Sequence, residues 1–350
     1  TETPMFQQNH EAPLRGTSTS EKNFGYYDAT VDGGWRVPGE PYSEAPDSRF
    51  MWWRARMLGG RTNHWGRLVP RFTPADFKPY STDGVGTDWP VDYDEISPWY
   101  DKCEELIGVC GDNPGLDDTP SSSDGVLLPP PKPRVMELLL KSACESLGID
   151  AVPMRRAILT EAKDDRQACF WATPCGRGCS IGAAFQSTTS LLPWANNTGN
   201  LKIVTDAMVR EVHLDDEGNA SGVTFVNKTS GEDVRIDGEH IILAASACET
   251  ARLLLNSKSE AFPNGLANSS GQVGRNLTDS LGAGISGYIP ALRDRPRYNE
   301  DGHSGNHLYI PWWDREGQKN GSLNFSRGYH FEVGARFSSP GMGVAGRVDG

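Results

Sequence analysis

Residues 59–66 read Gly59-Gly60-Arg61-Thr62-Asn63-His64-Trp65-Gly66. A glycine pair lets a backbone approach a ligand with no Cβ in the way. Thr62, Asn63 and His64 then offer polar groups, and Trp65 offers an aromatic face. Just before the pair, Met51 to Arg56 is aromatic and basic. Taken alone, a glycine pair followed by polar residues describes a structural turn as well as a binding loop, so the surrounding chain has to decide.

The chain has 350 residues, enough for one large domain or two interleaved ones, and 37% of them are hydrophobic. No stretch approaches the roughly 18 apolar residues of a membrane span. A net charge of −12 with no basic stripe argues against nucleic acid as a partner. No signal peptide is visible at Thr1-Glu2-Thr3-Pro4-Met5, and an initiator Met is lacking there.

Residues 1–50 are polar and turn-rich and read as an extended segment. Residues 51–115 hold the glycine loop and a helix in which Ile96, Tyr100, Cys103, Ile107 and Cys110 recur at helical spacing, with Pro98 in its first turn. Within 116–194, the Ser-, Asp- and Pro-rich run Asp117–Pro133 reads as a linker or lid, followed by a helix from Arg134 to Leu147 that Gly148 ends. Over 195–283 the pattern predicts a strand at Leu201–Val204, a meander through Val209–Leu214, Val223–Phe225 and Val234–Ile236, and a buried strand at His240–Ala245 that turns into a helix carrying Leu253 to Leu255. A buried strand feeding a helix fits part of a dinucleotide-binding α/β domain. Residues 284–350 read as β-rich.

Of seven cysteines, Cys103, Cys110, Cys144 and Cys248 fall in helix-like patterns and read as buried thiols. The other three, Cys169, Cys175 and Cys179, lie within eleven residues at C-x5-C-x3-C spacing, with Gly176 and Gly178 between them. Such a loop can curl around one inorganic centre. Arg177 and nearby N–H groups could offset its negative charge. Zinc would want a fourth ligand. A disulfide between two of the three, or a set of free thiols, is the plain alternative.

Three strings together resemble the glucose–methanol–choline (GMC) oxidoreductase family, in its gluconate and fructose dehydrogenase-like branch. They are the octet at 59–66, Val273-Gly274-Arg275-Asn276-Leu277-Thr278-Asp279-Ser280, and Leu243–Leu254, preceded by Met208-Val209-Arg210-Glu211-Val212. Ser280 departs from the family pattern, as do Ser246, Thr250 and Ala251. The resemblance implies a partial FAD-binding, Rossmann-like α/β domain with part of an antiparallel-sheet substrate domain from 284. It implies FAD contacts from Gly59, Gly60, Thr62, Asn63, His64, Trp65 and Val209. His64 stands where some relatives bond the flavin covalently, and simple packing is its alternative. Cys169, Cys175 and Cys179 resemble the three-cysteine pattern that holds a [3Fe-4S] cluster. The implied reaction is oxidation of a CH–OH group in a sugar, polyol or aldonic acid, with hydride passing to flavin N5. A small subunit, a cytochrome acceptor and a periplasmic setting are implied as well.

The family's G-x-G-x-x-G and its C-terminal catalytic His are not found in these 350 residues. No catalytic residue is therefore assigned, the base is expected beyond residue 350, and the segment by itself is expected to be inactive. Two other classes stay open: an electron-relay subunit that uses only the cysteines, and a sugar-binding subunit, suggested by ten tryptophans.

Overall fold

The computed structural model describes residues 46, 58–63, 65–171, 179, 181–278, 282–294, 308–311, 321–322 and 328–334. The expectations for residues 1–45, Met51–Arg56, His64 and Cys175 lie outside these residues. In chain order the elements are α1 (Pro74–Phe77), α2 (Pro79–Asp83), α3 (Tyr93–Ile107), α4 (Val135–Ser146), β1 (Val152–Pro153), α5 (Leu191–Asn197), β2 (Ala207–Leu214), β3 (Ala220–Asn227), β4 (Asp233–Asp237), α6 (Ala247–Asn256), β5 (Leu308–Ile310) and β6 (Phe331–Val333). The described residues up to Asn200, with those from Ile289 on, form one compact unit, and Leu201–Tyr288 form a second.

In the first unit, α3 begins at Asp92, whose backbone N–H donates to Glu95 Oε1 at 3.3 Å. Asp94 and Glu95 in its first turn suit the positive end of the helix dipole. Gly108 ends the helix at φ +76, and a side chain there would meet Leu159 at 2.3 Å. The helix turns a charged face inward rather than the apolar one its spacing suggests. Glu104 is buried and grips Arg71 with both oxygens, Nε to Oε1 at 2.9 Å and Nη2 to Oε2 at 2.6 Å. Asp101 takes the same guanidinium, and Arg155 reaches Glu104 at 3.4 Å. Burial alone would lower the Arg71 pKa, but its bonds to Glu104, Tyr93 and Asp101 hold it above the ordinary value.

The expectation of a buried thiol fails at Cys103 and holds at Cys110, where only the helical placement fails. Cys103 points outward and is exposed. Cys110 is buried but extended, bridging Arg156 and Leu128 two residues past the helix end at Gly108.

The run Asp117–Pro133 is built into the fold rather than hanging as a lid. Ser122 is buried and donates to Glu104 Oε2 at 2.6 Å, Asn113 bonds Ser122 twice, and Arg155 donates to Pro120 O at 2.7 Å. Helix α4 falls within a residue of its expected limits. At its start Arg134 and Glu137, both buried, form an ion pair, and Arg134 N–H also donates to Glu137 Oε2 at 2.8 Å. Cys144 of α4 packs with Ala151, Leu308 and Ile310 beneath an antiparallel sheet of order β1-β5-β6. Tyr309, on the opposite face of β5, pairs with Val152 and Glu332; burial, then Asp118, pushes its phenol up to about 12.

The second unit is an antiparallel meander, β2-β3-β4, with α6 against it. Val212, Leu253 and Leu266 form its core, joined by Val209, Val223, Ile241 and Leu243. The meander and α6 lie where the pattern puts them. Leu201–Val204 and His240–Ala245 do not form strands. Neither finds a ladder partner among the described residues, and a strand needs one. Ile241 and Leu243 pack inward, but Ile242 is 87% exposed, so burial alternates instead of covering both faces. Both three-stranded sheets are antiparallel, and no parallel sheet occurs among the described residues.

Candidate functional site

Gly60–Asn63 forms one 3-10 turn, with Gly59 at φ +87 and Gly60 at φ +51. The two glycines do different work. A Cβ on Gly59 would meet Thr188 at 2.7 Å and Asn63 at 3.0 Å, so its small size serves internal packing. A Cβ on Gly60 would meet nothing within 4 Å. Gly60 therefore presents bare backbone to open space, as close approach by a planar cofactor requires.

The polar residues of the octet hold the turn from behind. Thr62 Oγ1 donates to Gly59 O at 2.6 Å, lies 2.9 Å from Ser187 Oγ and accepts from Ser187 N–H. Asn63 is fully buried. Its Nδ2 donates to Leu58 O at 2.8 Å, its Oδ1 accepts from Thr188 Oγ1 at 3.0 Å, and its carbonyl accepts from Gln186 Nε2 at 3.0 Å. The Trp65 indole donates to Phe185 O at 3.2 Å and stands edge-on to the Phe185 ring at 6.1 Å. These side chains shape the loop, and the Gly60 backbone faces open space.

Phe185–Thr188 thus forms a bed for the octet across about 125 residues of chain, and the sequence reading missed it. Its trace was present: Gln186-Ser187-Thr188-Thr189-Ser190 is an unbroken polar run directly before a helix. A second missed feature is the buried strip Arg155–Leu159. The octet's exit ladders on it through Val69 N–H to Arg155 O and Ala157 N–H to Arg67 O. The bed ladders on it through Phe185 N–H to Ala157 O and Leu159 N–H to Ala183 O.

The cysteine segment starts and ends on the same strip. Cys169 N–H donates to Leu159 O at 2.9 Å, and Gln167 N–H donates to Ile181 O at 3.1 Å, which pins the two ends of the cysteine segment together as a stem. Cys169 and Cys179 are half-buried, and their sulfurs accept from the Trp171 and Ala184 N–H groups, each at 3.4 Å. At the foot of the stem lies the buried Arg166, which donates to Ile107 O at 2.9 Å and stacks 5.3 Å from the Trp194 ring. Burial lowers its pKa against the pull of Asp164 and Asp165. No group of three or more metal-ligating side chains occurs among the described residues.

In the second unit, two of the sequence strings meet. Val273 lines a hollow of about 510 Å³ with Ala244, Ser246, Thr250 and Ala251, and a Cβ on Gly274 would lie 3.2 Å from Leu255. Val209 borders a β-bulge, and its carbonyl accepts from Arg252 at 3.5 Å. Ser246 opens α6 at φ 77 and ψ 167, a region that suits glycine.

Comparison with known proteins agrees with these strings. The GMC oxidoreductase profile matches residues 15–281. The large subunit of fructose dehydrogenase from Gluconobacter japonicus is 32% identical over 237 residues, covering 65% of this chain and 42% of its own length. A 2-methyl-1,2-propanediol dehydrogenase from Mycolicibacterium austroafricanum is 33% identical over 225 residues, 63% of this chain and 40% of its own. A 6'''-hydroxyparomomycin C oxidase from Streptomyces lividus is 30% identical over 244 residues, 68% of this chain and 44% of its own. The chain spans less than half the length of each of these relatives. The profile covers most of the chain, and the chain belongs to the GMC oxidoreductase family.

Proposed function

We propose that these residues form part of an FAD-dependent enzyme that oxidises a CH–OH group of a sugar, polyol or aldonic acid. The observation that carries the reading is the octet's geometry: a turn locked from behind by Ser187, Thr188 and Phe185, with space in front of the Gly60 backbone. That surface fits a flat ring system. When bound, the flavin would accept the hydride from the alcohol carbon. The residues of this chain would hold and orient it: Gly59 and Gly60 by letting the backbone close in, Thr62 and Asn63 by fixing the turn, and Trp65 by its ring. His64 sits between Asn63 and Trp65 and is the candidate for a covalent tether; flavin released quantitatively on denaturing the holoenzyme would remove that role. Val209 is the candidate contact in the second unit. The sugar assignment follows the named activity of the fructose dehydrogenase relative. Steady-state turnover of a panel of sugars, polyols and aldonic acids by the complete protein, with an artificial acceptor, tests it; no turnover with any of them would refute it.

A second element of the proposal is a [3Fe-4S] cluster on Cys169, Cys175 and Cys179. The pinned stem at Gln167 and Ile181 and the N–H groups donated to the Cys169 and Cys179 sulfurs support it. Such a centre would give electrons an exit towards a small subunit or a cytochrome. Iron and acid-labile sulfide in anaerobically purified complete protein are the test, and their absence would leave the flavin reading standing without the cluster.

A further inference from the structure

We propose that Thr188 is a positioning residue for the flavin: it sets where the open face of Gly60 points. The proposal rests on the reading of 58–66 as a flavin loop. Thr188 uses both halves of its side chain on that loop. Its methyl carbon occupies the space a Cβ on Gly59 would need, 2.7 Å away. Its hydroxyl donates to Asn63 Oδ1 at 3.0 Å. Asn63 in turn holds Leu58 O through Nδ2 and is held by Gln186 through its own carbonyl. Leu58 and Asn63 flank the turn, so the Thr188 hydroxyl fixes its two ends and the methyl fixes its first glycine.

The pairing is long-range, and no local propensity would supply it. Gly59 at φ +87 and Gly60 at φ +51 belong to residue classes with wide conformational freedom. The turn's own bonds, Thr62 to Gly59 O and Asn63 to Leu58 O, close it, and the bed fixes where the closed turn sits. The bed is rigid where it matters: Thr188 is buried, Ser190 donates to Gln186 O at 2.7 Å, and Phe185 N–H is laddered to Ala157 O at 3.0 Å. A displacement at Thr188 therefore passes to Gly59 and Asn63, and through them to Gly60 between them.

Serine lacks the methyl and valine lacks the hydroxyl, so the two functions separate. The variants Thr188→Val and Thr188→Ser are made in the complete protein. Each is read by the visible circular dichroism of the bound flavin, which senses its surroundings whether the flavin is tethered or not, and by the single-turnover rate of flavin reduction by substrate. Valine keeps the shape, so the fold survives. It takes the Thr188 bond from Asn63 Oδ1, and reduction slows about tenfold with a changed flavin dichroism. Serine restores the hydroxyl and recovers most of the rate. Wild-type dichroism and rate in Thr188→Val would overturn the proposal, as would an equal loss in both variants that tracks only a lower melting temperature. A wild-type protein that takes up no flavin at all would instead refute the underlying reading of the loop.

Discussion

The Thr188 methyl carbon lies 2.7 Å from where a Cβ on Gly59 would stand, whereas the same test at Gly60 finds nothing within 4 Å. Adjacent glycines in one motif thus answer to different demands. Gly59→Ala would add both a clash and strain at φ +87, and Gly60→Ala would add only the left-handed cost of about 1–2 kcal/mol. The expected outcome in the complete protein is that Gly59→Ala lowers the yield of folded protein. Gly60→Ala should fold but bind FAD more weakly. Thermal melts and flavin titration separate the two, and a Gly60→Ala variant with native flavin affinity would mean that this face does not meet the cofactor.

Glu104 holds Arg71 with two bonds and meets Arg155 and Ser122 as well, all in the interior. Glu104→Gln would keep the shape but take the carboxylate from buried Arg155 and leave Arg71 with Asp101 as its ion-pair partner. The expected loss is about 3–5 kcal/mol of unfolding free energy in denaturant melts. A loss below about 1 kcal/mol would show that water already compensates this cluster.

Asp101 titrates below its ordinary 3.8. Burial works against this, and bonds from Ser123 and Arg71 overcome it. A carboxylate with a depressed folded pKa stabilises the fold above its unfolded pKa, and that contribution disappears as pH falls through the folded value. The contribution of Asp101 should therefore be level from neutral pH to about pH 5 and fall away below about pH 4. Asp101→Asn should flatten that acid limb in melting curves taken at a series of pH values.

Ser246 adopts φ 77 and ψ 167 at the start of α6 and makes no side-chain cap there. Glycine tolerates that geometry without strain. Ser246→Gly should raise stability by about 1 kcal/mol, the relief of strain less the entropy glycine loses on folding. A lower melting temperature would mean that the hydroxyl carries an interaction of its own.

Burial pushes the Cys110 thiol up to about 11, while Cys103 is exposed. Alkylation at neutral pH followed by peptide mass mapping should label Cys103 in the native protein. It should reach Cys110 only after unfolding.

The helices at 93–107 and 135–146 and the meander at 207–237 were legible in the sequence because their periodicity and end signals are local. The interior of α3 was not, since its buried face carries Asp101 and Glu104, whose partner Arg71 lies some thirty residues back. Polar residues at inward positions mimic a surface until the opposing charge is known. The strip Arg155–Leu159 was hidden likewise, with two arginines leading a fully buried stretch. At the site, the octet could be read from its glycines, but the bed at Phe185–Thr188 could not: hydroxyl-rich runs are usually solvated, and only tertiary pairing shows that this one is buried. The strand expected at His240–Ala245 shows the converse error, because an apolar run specifies a strand only where a neighbour offers a ladder.

The most direct measurement is the visible absorption of the purified complete protein, recorded anaerobically before and after addition of fructose, gluconate and a polyol. The predicted result is a flavin spectrum of about one FAD per chain that bleaches with at least one of them and recovers when an acceptor is added. A protein that carries no flavin and takes none up from added FAD would contradict the account.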